Sequence, residues 1–225
     1  MPLRASFAAE LALLLSTVLV LLCATASAQV PLFPIEIERV DVIAIERDGR
    51  DIFAFDALIG RRATIRLEIG EEVVFEASRG RLGIVMTNRR ALAVAAGAAW
   101  KELRFRLQES PPTVALLEDR VAVMVTSRRA IGFISRGDWI VENLSPHESA
   151  EAVRVGVSIG IVTTNRRALG LAVDGDRFVS ANLQVKERLE SVVARDTLAT
   201  VRTNRRILVF SGPAGIWTEQ RRKIN

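Results

Sequence analysis

One four-residue motif recurs along the chain at a nearly constant interval. Thr87-Asn-Arg-Arg90, Thr126-Ser-Arg-Arg129, Thr164-Asn-Arg-Arg167 and Thr203-Asn-Arg-Arg206 stand 39, 38 and 39 residues apart. Self-similarity at such a period implies a supersecondary unit that buries its apolar surface by stacking on copies of itself. Each motif separates two apolar runs: Leu82 to Met86 from Ala91 to Val94, Val121 to Val125 from Ala130 to Phe133, Ile159 to Val162 from Ala168 to Leu171, and Leu198 to Val201 from Ile207 to Phe210. A short polar motif between two such runs reads as a hairpin turn, with Asn supplying the tolerance for positive φ that tight turns need. Ahead of these copies, Asp48-Gly49-Arg50 lies between Val42 to Ile45 and Ile52 to Phe55. Asp-Gly serves the same bend, so the motif has five copies.

A second register mark is aromatic: Trp100, Trp139, Phe178 and Trp217 recur every 39 residues, each opening a third apolar segment. A fourth segment follows at Val73 to Ala77, Val114 to Leu117, Ala152 to Val155 and Leu189 to Ala194. Four strands in about 39 residues is the size of a propeller blade. The expected fold is all-β, a five-bladed β-propeller of four-stranded blades. A β-trefoil stops at three repeats, and a β-solenoid needs no closing strand. The last copy ends in its third strand, so Phe33 to Val40 is expected to complete it as outermost strand and close the ring, with Glu36 and Glu38 opposite Arg221 and Lys223. The expected blades are 41–80, 81–118, 119–157, 158–196, and 197–225 plus 33–40, in a single domain over 29–225. The small residues Gly83, Ala122, Gly160 and Ala199 would mark the innermost strand crowding the axis, and Ala44 joins them if the first copy is offset by one residue.

The N-terminal stretch reads as an address. Met1-Pro-Leu-Arg4 is basic, Leu11 to Leu22 is almost wholly apolar, and Ala26-Ser27-Ala28 is small, the pattern of a secretory signal peptide cleaved after residue 28. A membrane anchor needs about 20 apolar residues, more than this run supplies. The mature chain is expected to be periplasmic or secreted, without a transmembrane segment. Its one cysteine, Cys23, lies within the leader, which leaves no disulfide, no Cys-based metal site and no expected cofactor. A net charge of +5 and a pI near 10.5 rest on arginine, since lysine occurs only at Lys101, Lys186 and Lys223. Such basicity would suit nucleic acid in a cytosolic protein. Export redirects it to a protein partner or an anionic envelope component, with no nucleic acid.

Three sets of residues are candidate sites. Arg50, Arg90, Arg129, Arg167 and Arg206 occupy matching places, with Arg89, Arg128, Arg166 and Arg205 beside the last four, and a ring of guanidinium groups suits bidentate anion binding. The structural alternative has each second arginine pairing with a carboxylate or carbonyl of an adjacent blade, or stacking on an aromatic ring. Fivefold repetition favours it, because duplication copies scaffold residues to every blade. Trp100, Trp139 and Trp217 are either sugar-stacking platforms, as in a lectin-like propeller, or blade-interface core; packing favours core. Asp41, Asp119 and Asp196 precede equivalent strands, an arrangement similar to the carboxylates of five-bladed glycosidases, although Asp is also an ordinary turn residue. His147, alone and without cysteine, reads as a loop residue rather than a zinc ligand. No nucleophile motif and no phosphate-binding glycine loop occurs. The expectation is a non-catalytic binding or scaffolding module, with a lectin-like glycan binder and a glycoside-processing enzyme as alternatives.

Overall fold

Alternating apolar and polar positions between tight turns produce strands throughout. The computed structural model describes residues 40–112 and 115–222, and among these every regular element is a β-strand. Five antiparallel sheets follow one another along the chain. Blade 1 contains β1 (Ile43–Asp48), β2 (Asp51–Asp56) and β3 (Arg61–Arg66). Blade 2 contains β4 (Val73–Arg79), β5 (Leu82–Thr87), β6 (Arg90–Ala95) and β7 (Lys101–Arg104). Blade 3 contains β8 (Ala115–Leu117), β9 (Val121–Val125), β10 (Arg129–Ile134) and β11 (Asp138–Asn143). Blade 4 contains β12 (Ala150–Val155), β13 (Ile159–Thr164), β14 (Arg167–Ala172) and β15 (Val179–Asn182), and blade 5 contains β16 (Leu189–Arg195), β17 (Leu198–Thr203), β18 (Arg206–Ser211) and β19 (Ile216–Arg221). Strands pair in chain order within each sheet. The fold is a five-bladed β-propeller in which consecutive blades pack on one another and the outward faces of blades 1 and 5 stay open among the described residues.

The division between blades differs from expectation by one strand. Val73–Arg79 pairs with Leu82–Thr87 across Gly80 and Arg81, so it opens blade 2 and does not close blade 1. Ala150–Val155 and Leu189–Arg195 likewise open the sheets that follow them. Connection length explains the grouping: a two-residue link with Gly80 at φ 56° makes a hairpin, whereas the longer link over 67–72 lets the chain pass to the next sheet. Blade 5 thereby holds four strands, and blade 1 holds three among the described residues. The expected closing strand, Phe33 to Val40, lies outside the described residues except for its last.

For Gly83, Ala122, Gly160 and Ala199 the strand carrying the small residue is a middle strand, bonded on both sides, and not an edge at the axis. Its small residues answer to the preceding blade: a Cβ on Gly83 would stand 2.6 Å from Ile45 Cδ1, and one on Gly160 would stand 2.2 Å from Val123 Cγ2. Ala44 needs no offset, because β1 aligns with β5 through Asp48 and Thr87 at the spacing of the other copies.

Directly paired residues share a sheet face, so each blade has two distinct faces. Leu82, Ile84, Met86, Ala91, Ala93 and Ala95 of blade 2 form one buried cluster with Ala122, Met124, Ile131 and Phe133 of blade 3. The same arrangement joins blade 3 to blade 4, with Val121 and Val123 against Leu169 and Leu171. It also joins blade 4 to blade 5, with Ile159 and Ile161 against Ala199 and Phe210. The core is therefore laminar, lying between sheets. In β5, β6 and β13, sheet on both sides buries every residue, which explains why those strands read as continuous apolar runs.

Candidate functional site

The repeated motif is the cover of a buried polar lock. In blade 2, Thr87 Oγ accepts the backbone N–H groups of Arg89 and Arg90 at 3.1 and 3.0 Å and donates to Glu71 Oε1 at 2.7 Å. Arg90 Nε and Nη2 reach Glu71 Oε1 and Oε2 at 2.9 and 3.0 Å, and Nη2 also donates to the Arg66 carbonyl of blade 1 at 3.0 Å. Arg90 Nη1 bonds Glu102. Blade 3 repeats the lock with Thr126, Arg129 and Glu109, blade 4 with Thr164, Arg167 and Glu148, and blade 5 with Thr203, Arg206 and Glu187. Each arginine reaches a carbonyl on the last strand of the preceding blade: Arg104, Asn143 and Asn182, respectively.

Each glutamate sits at the end of a tight turn on the link that enters its blade. Gly70, Gln108, His147 and Lys186, the residues just before it, have φ of 74°, 61°, 63° and 64°. That bend returns the carboxylate to the backbone N–H three residues earlier: Glu68, Arg106, Ser145 and Gln184 donate at 2.6–2.8 Å. Burial pushes the four carboxyls up, but hydrogen bonds from the arginine, the backbone N–H and the threonine outweigh it and hold them below their ordinary value. These glutamates recur 16 or 17 residues ahead of each motif threonine, a signal present in the sequence but separated from the motif by a whole strand.

The motif asparagine serves the same link. Its φ is not positive, contrary to the hairpin expectation. Asn165 Oδ1 accepts the Ser149 N–H at 3.1 Å while Nδ2 donates to the His147 carbonyl at 3.0 Å, and Asn88 and Asn204 do the same. His147 is exposed, and its backbone carbonyl accepts from Asn165.

The arginines thus divide into two classes. Arg90, Arg129 and Arg206 are buried and Arg167 nearly so, with their donors spent on carboxylates and carbonyls. Arg50 is not their counterpart: its carbonyl accepts the Leu67 N–H as that of Arg89 accepts Phe105, and Asp51 holds the lock position in blade 1. The matching exposed series is Arg50, Arg89, Arg128, Arg166 and Arg205, one per blade at the same hairpin turn. Beside it, each glutamate turn lifts an apolar residue into water: Ile69, Leu107 and Val185 are 80%, 90% and 84% exposed, and Pro146 holds the same place in blade 4. Arg106, Lys186 and Arg188 add exposed positive charge, with Glu68 and Glu72 as local acids.

The tryptophans pack between blades. Trp100 Nε1 donates to the Ala63 carbonyl of blade 1 at 3.2 Å, and Trp217 Nε1 to the Val179 carbonyl of blade 4 at 2.8 Å. Trp139 lies 4.8 Å from Phe133 between ring centroids, and its Nε1 is buried without a partner. Asp119 and Asp196 occupy turns at the opposite end of the blades, and Asp41 precedes β1 at that end. Asp41 accepts the Gly80 N–H at 2.6 Å, while the Asp119 and Asp196 carbonyls accept Arg81 and Ser158 N–H groups of the preceding blades. Among the described residues no three potential metal ligands cluster, and no helix is long and apolar enough to cross a membrane.

No family model matches this chain. No curated protein matches it either. Among solved structures it is similar to Prp20p from Saccharomyces cerevisiae, at 7% identity and TM-score 0.40 over 76% of this chain and 55% of that one. It is similar to the N-terminal domain of Nup159, at 10% identity and TM-score 0.37 over 80% and 58%. A third is the Neurospora crassa Pan2 WD40 domain, at 12% identity and TM-score 0.36 over 68% and 50%. The chain thus spans little more than half the length of these structures.

Proposed function

We propose that the protein is an exported, non-catalytic binding module whose arginine-bearing rim holds an anionic component of the cell envelope. The observation that carries this reading is the repeated pairing, on one end of the blades, of an exposed arginine turn with an exposed apolar turn. Arginine supplies bidentate hydrogen bonds to phosphate or carboxylate, and an apolar tip beside it adds contact with an acyl chain or sugar ring. The locks beneath keep both turns in place, so the rim is pre-organised and little ordering entropy opposes binding. The basic, apolar and small segments of residues 1–28 support export.

Co-sedimentation with vesicles tests the rim. Phosphatidylglycerol vesicles should retain the protein and phosphatidylcholine vesicles should not, and replacing Arg89, Arg128, Arg166 and Arg205 together by Ser should abolish retention without lowering the melting temperature. Equal retention on both vesicles, or none on either together with none on phosphorylated glycolipid or acidic glycan, would overturn the proposal.

A further inference from the structure

The four internal blade interfaces follow one rule, and the outer faces of the two end blades carry the two halves of a fifth. Counterparts of fully buried internal positions are open at both ends. On blade 5, Leu198, Thr200 and Arg202 are exposed and Ile207, Val209 and Ser211 partly so, although the corresponding blade 2 residues, Leu82, Ile84, Met86, Ala91, Ala93 and Ala95, are all buried. On blade 1, Ala44, Glu46 and Phe55 are exposed, where Ala122, Met124 and Phe133 of blade 3 are buried.

We propose that the outer face of blade 5 docks on the outer face of blade 1 of a second copy, so that the chain self-associates head-to-tail. Four observations relate this junction to the internal interfaces. The first is the close approach that demands a small residue. Gly83, Ala122, Gly160 and Ala199 meet the preceding blade, and Ala44 keeps a small residue at the same place on a face that is open to water. The second is a plug side chain, Val94, Phe133, Leu171 and Phe210 at the four internal interfaces. Phe210 lies against Gly170, where an added Cβ would come within 2.6 Å of its ring, and Phe133 shares a cluster with Ala93. Phe55 is the corresponding plug on blade 1, yet 42% exposed. The receiving position, small at all four internal interfaces (Ala54, Ala93, Gly132 and Gly170), is Val209 on blade 5, so Phe55 meets a bulkier partner there than Phe133 or Phe210 does.

The third feature is a ladder of backbone hydrogen bonds between the turns of adjacent blades. Val42 N–H donates to Gly80 O at 2.7 Å, Arg81 to Asp119 at 3.0 Å, Arg120 to Val157 at 3.1 Å and Ser158 to Asp196 at 2.9 Å. The next donor in the series is Thr197 N–H on blade 5 and the next acceptor is the Asp41 carbonyl beside blade 1. The fourth feature is charge. Arg202 holds the place of Met86, which shares a cluster with Met124, and Glu46 holds the place of Met124. An apolar pair inside the molecule thus becomes an opposite-charge pair at the junction, as suits surfaces that must be soluble before they meet. Within one copy Arg202 bonds the exposed Glu190 at 3.1 Å, and Arg62 lies 4.9 Å over the Phe53 ring on the docking face. A head-to-tail contact either closes a ring of copies or extends into a chain. The inference is independent of what the rim binds.

Sedimentation velocity on protein purified from cells expressing the full chain tests it. The wild type should associate as concentration rises. Arg202→Glu and Glu46→Arg should each weaken association about ten-fold or more, since a like-charge contact costs well over the ~1.4 kcal/mol that ten-fold represents. Both positions are exposed, so unchanged melting temperatures should show that folding is intact. Mixing the two variants should restore association, because each tail then meets a head of opposite charge. A wild type that stays monomeric at all concentrations, or a mixture no more associated than its components, would overturn the proposal.

Discussion

At the residue scale, the positions most sensitive to substitution are the four buried Thr–Glu–Arg locks. A carboxylate and a guanidinium removed from water are costly unless every donor and acceptor is used, and here the glutamate accepts from arginine, threonine and backbone together. Breaking one side leaves a buried uncompensated charge. Glu148→Gln should therefore destabilise the fold by about 3–5 kcal/mol, measured by urea unfolding. Asn165→Ala, which loses only exposed bonds to the link, should cost about 1 kcal/mol. The glutamates also set an acid limit. Their folded values lie below the ordinary 4.5, so each stabilises the fold above about pH 4.5 and ceases to do so as pH falls through the lowered values. Melting temperature should hold level from neutral pH down to about that point and then fall steeply, with the Glu148→Gln variant showing a shallower fall.

At the scale of elements, the controlling quantity is the distance between sheets. Glycine and alanine on the middle strands let the next blade approach until side chains of one fill gaps in the other. Gly160→Val would drive two methyl groups into Val123 and should cost about 1–3 kcal/mol through overpacking, read from the same unfolding curves. Because Trp100 and Trp217 spend their indole N–H groups on backbone carbonyls of neighbouring blades, a sugar titration should leave tryptophan fluorescence unchanged, whereas Trp217→Phe should lower stability by about 1 kcal/mol. Hairpins were legible in the sequence because each is local: two apolar runs and a short polar turn suffice. The grouping of hairpins into sheets was less so. The link over 67–72 and the turn at Gly80 and Arg81 both read as breaks, and only their lengths, with the positive φ of Gly80, decide which one joins paired strands.

At the scale of the whole molecule, the blades present one end rich in arginine and exposed apolar tips, and blades 1 and 5 each leave one face exposed. Binding at the rim rests on charge, so retention on phosphatidylglycerol vesicles should weaken as salt rises from 0.05 to about 0.5 M, the Debye length shrinking below the spacing of separate charges. Leu107→Ser together with Val185→Ser should weaken retention at every salt concentration, since the apolar contribution is not screened. Loss of binding in the arginine variant alone would mark the rim as purely electrostatic.

The period of the repeat, the count of five hairpins and the apolar character of the middle strands are properties of the chain itself, because periodicity and turn chemistry act over a few residues and survive without knowledge of neighbours. Tertiary structure alone decided which arginine of each pair is buried. Arg89 and Arg90 are adjacent and chemically identical, and what separates them is the direction of the side chain: one is buried against a glutamate delivered by a turn 19 residues earlier, and the other lies on the exposed rim, 3.5 Å from Glu68.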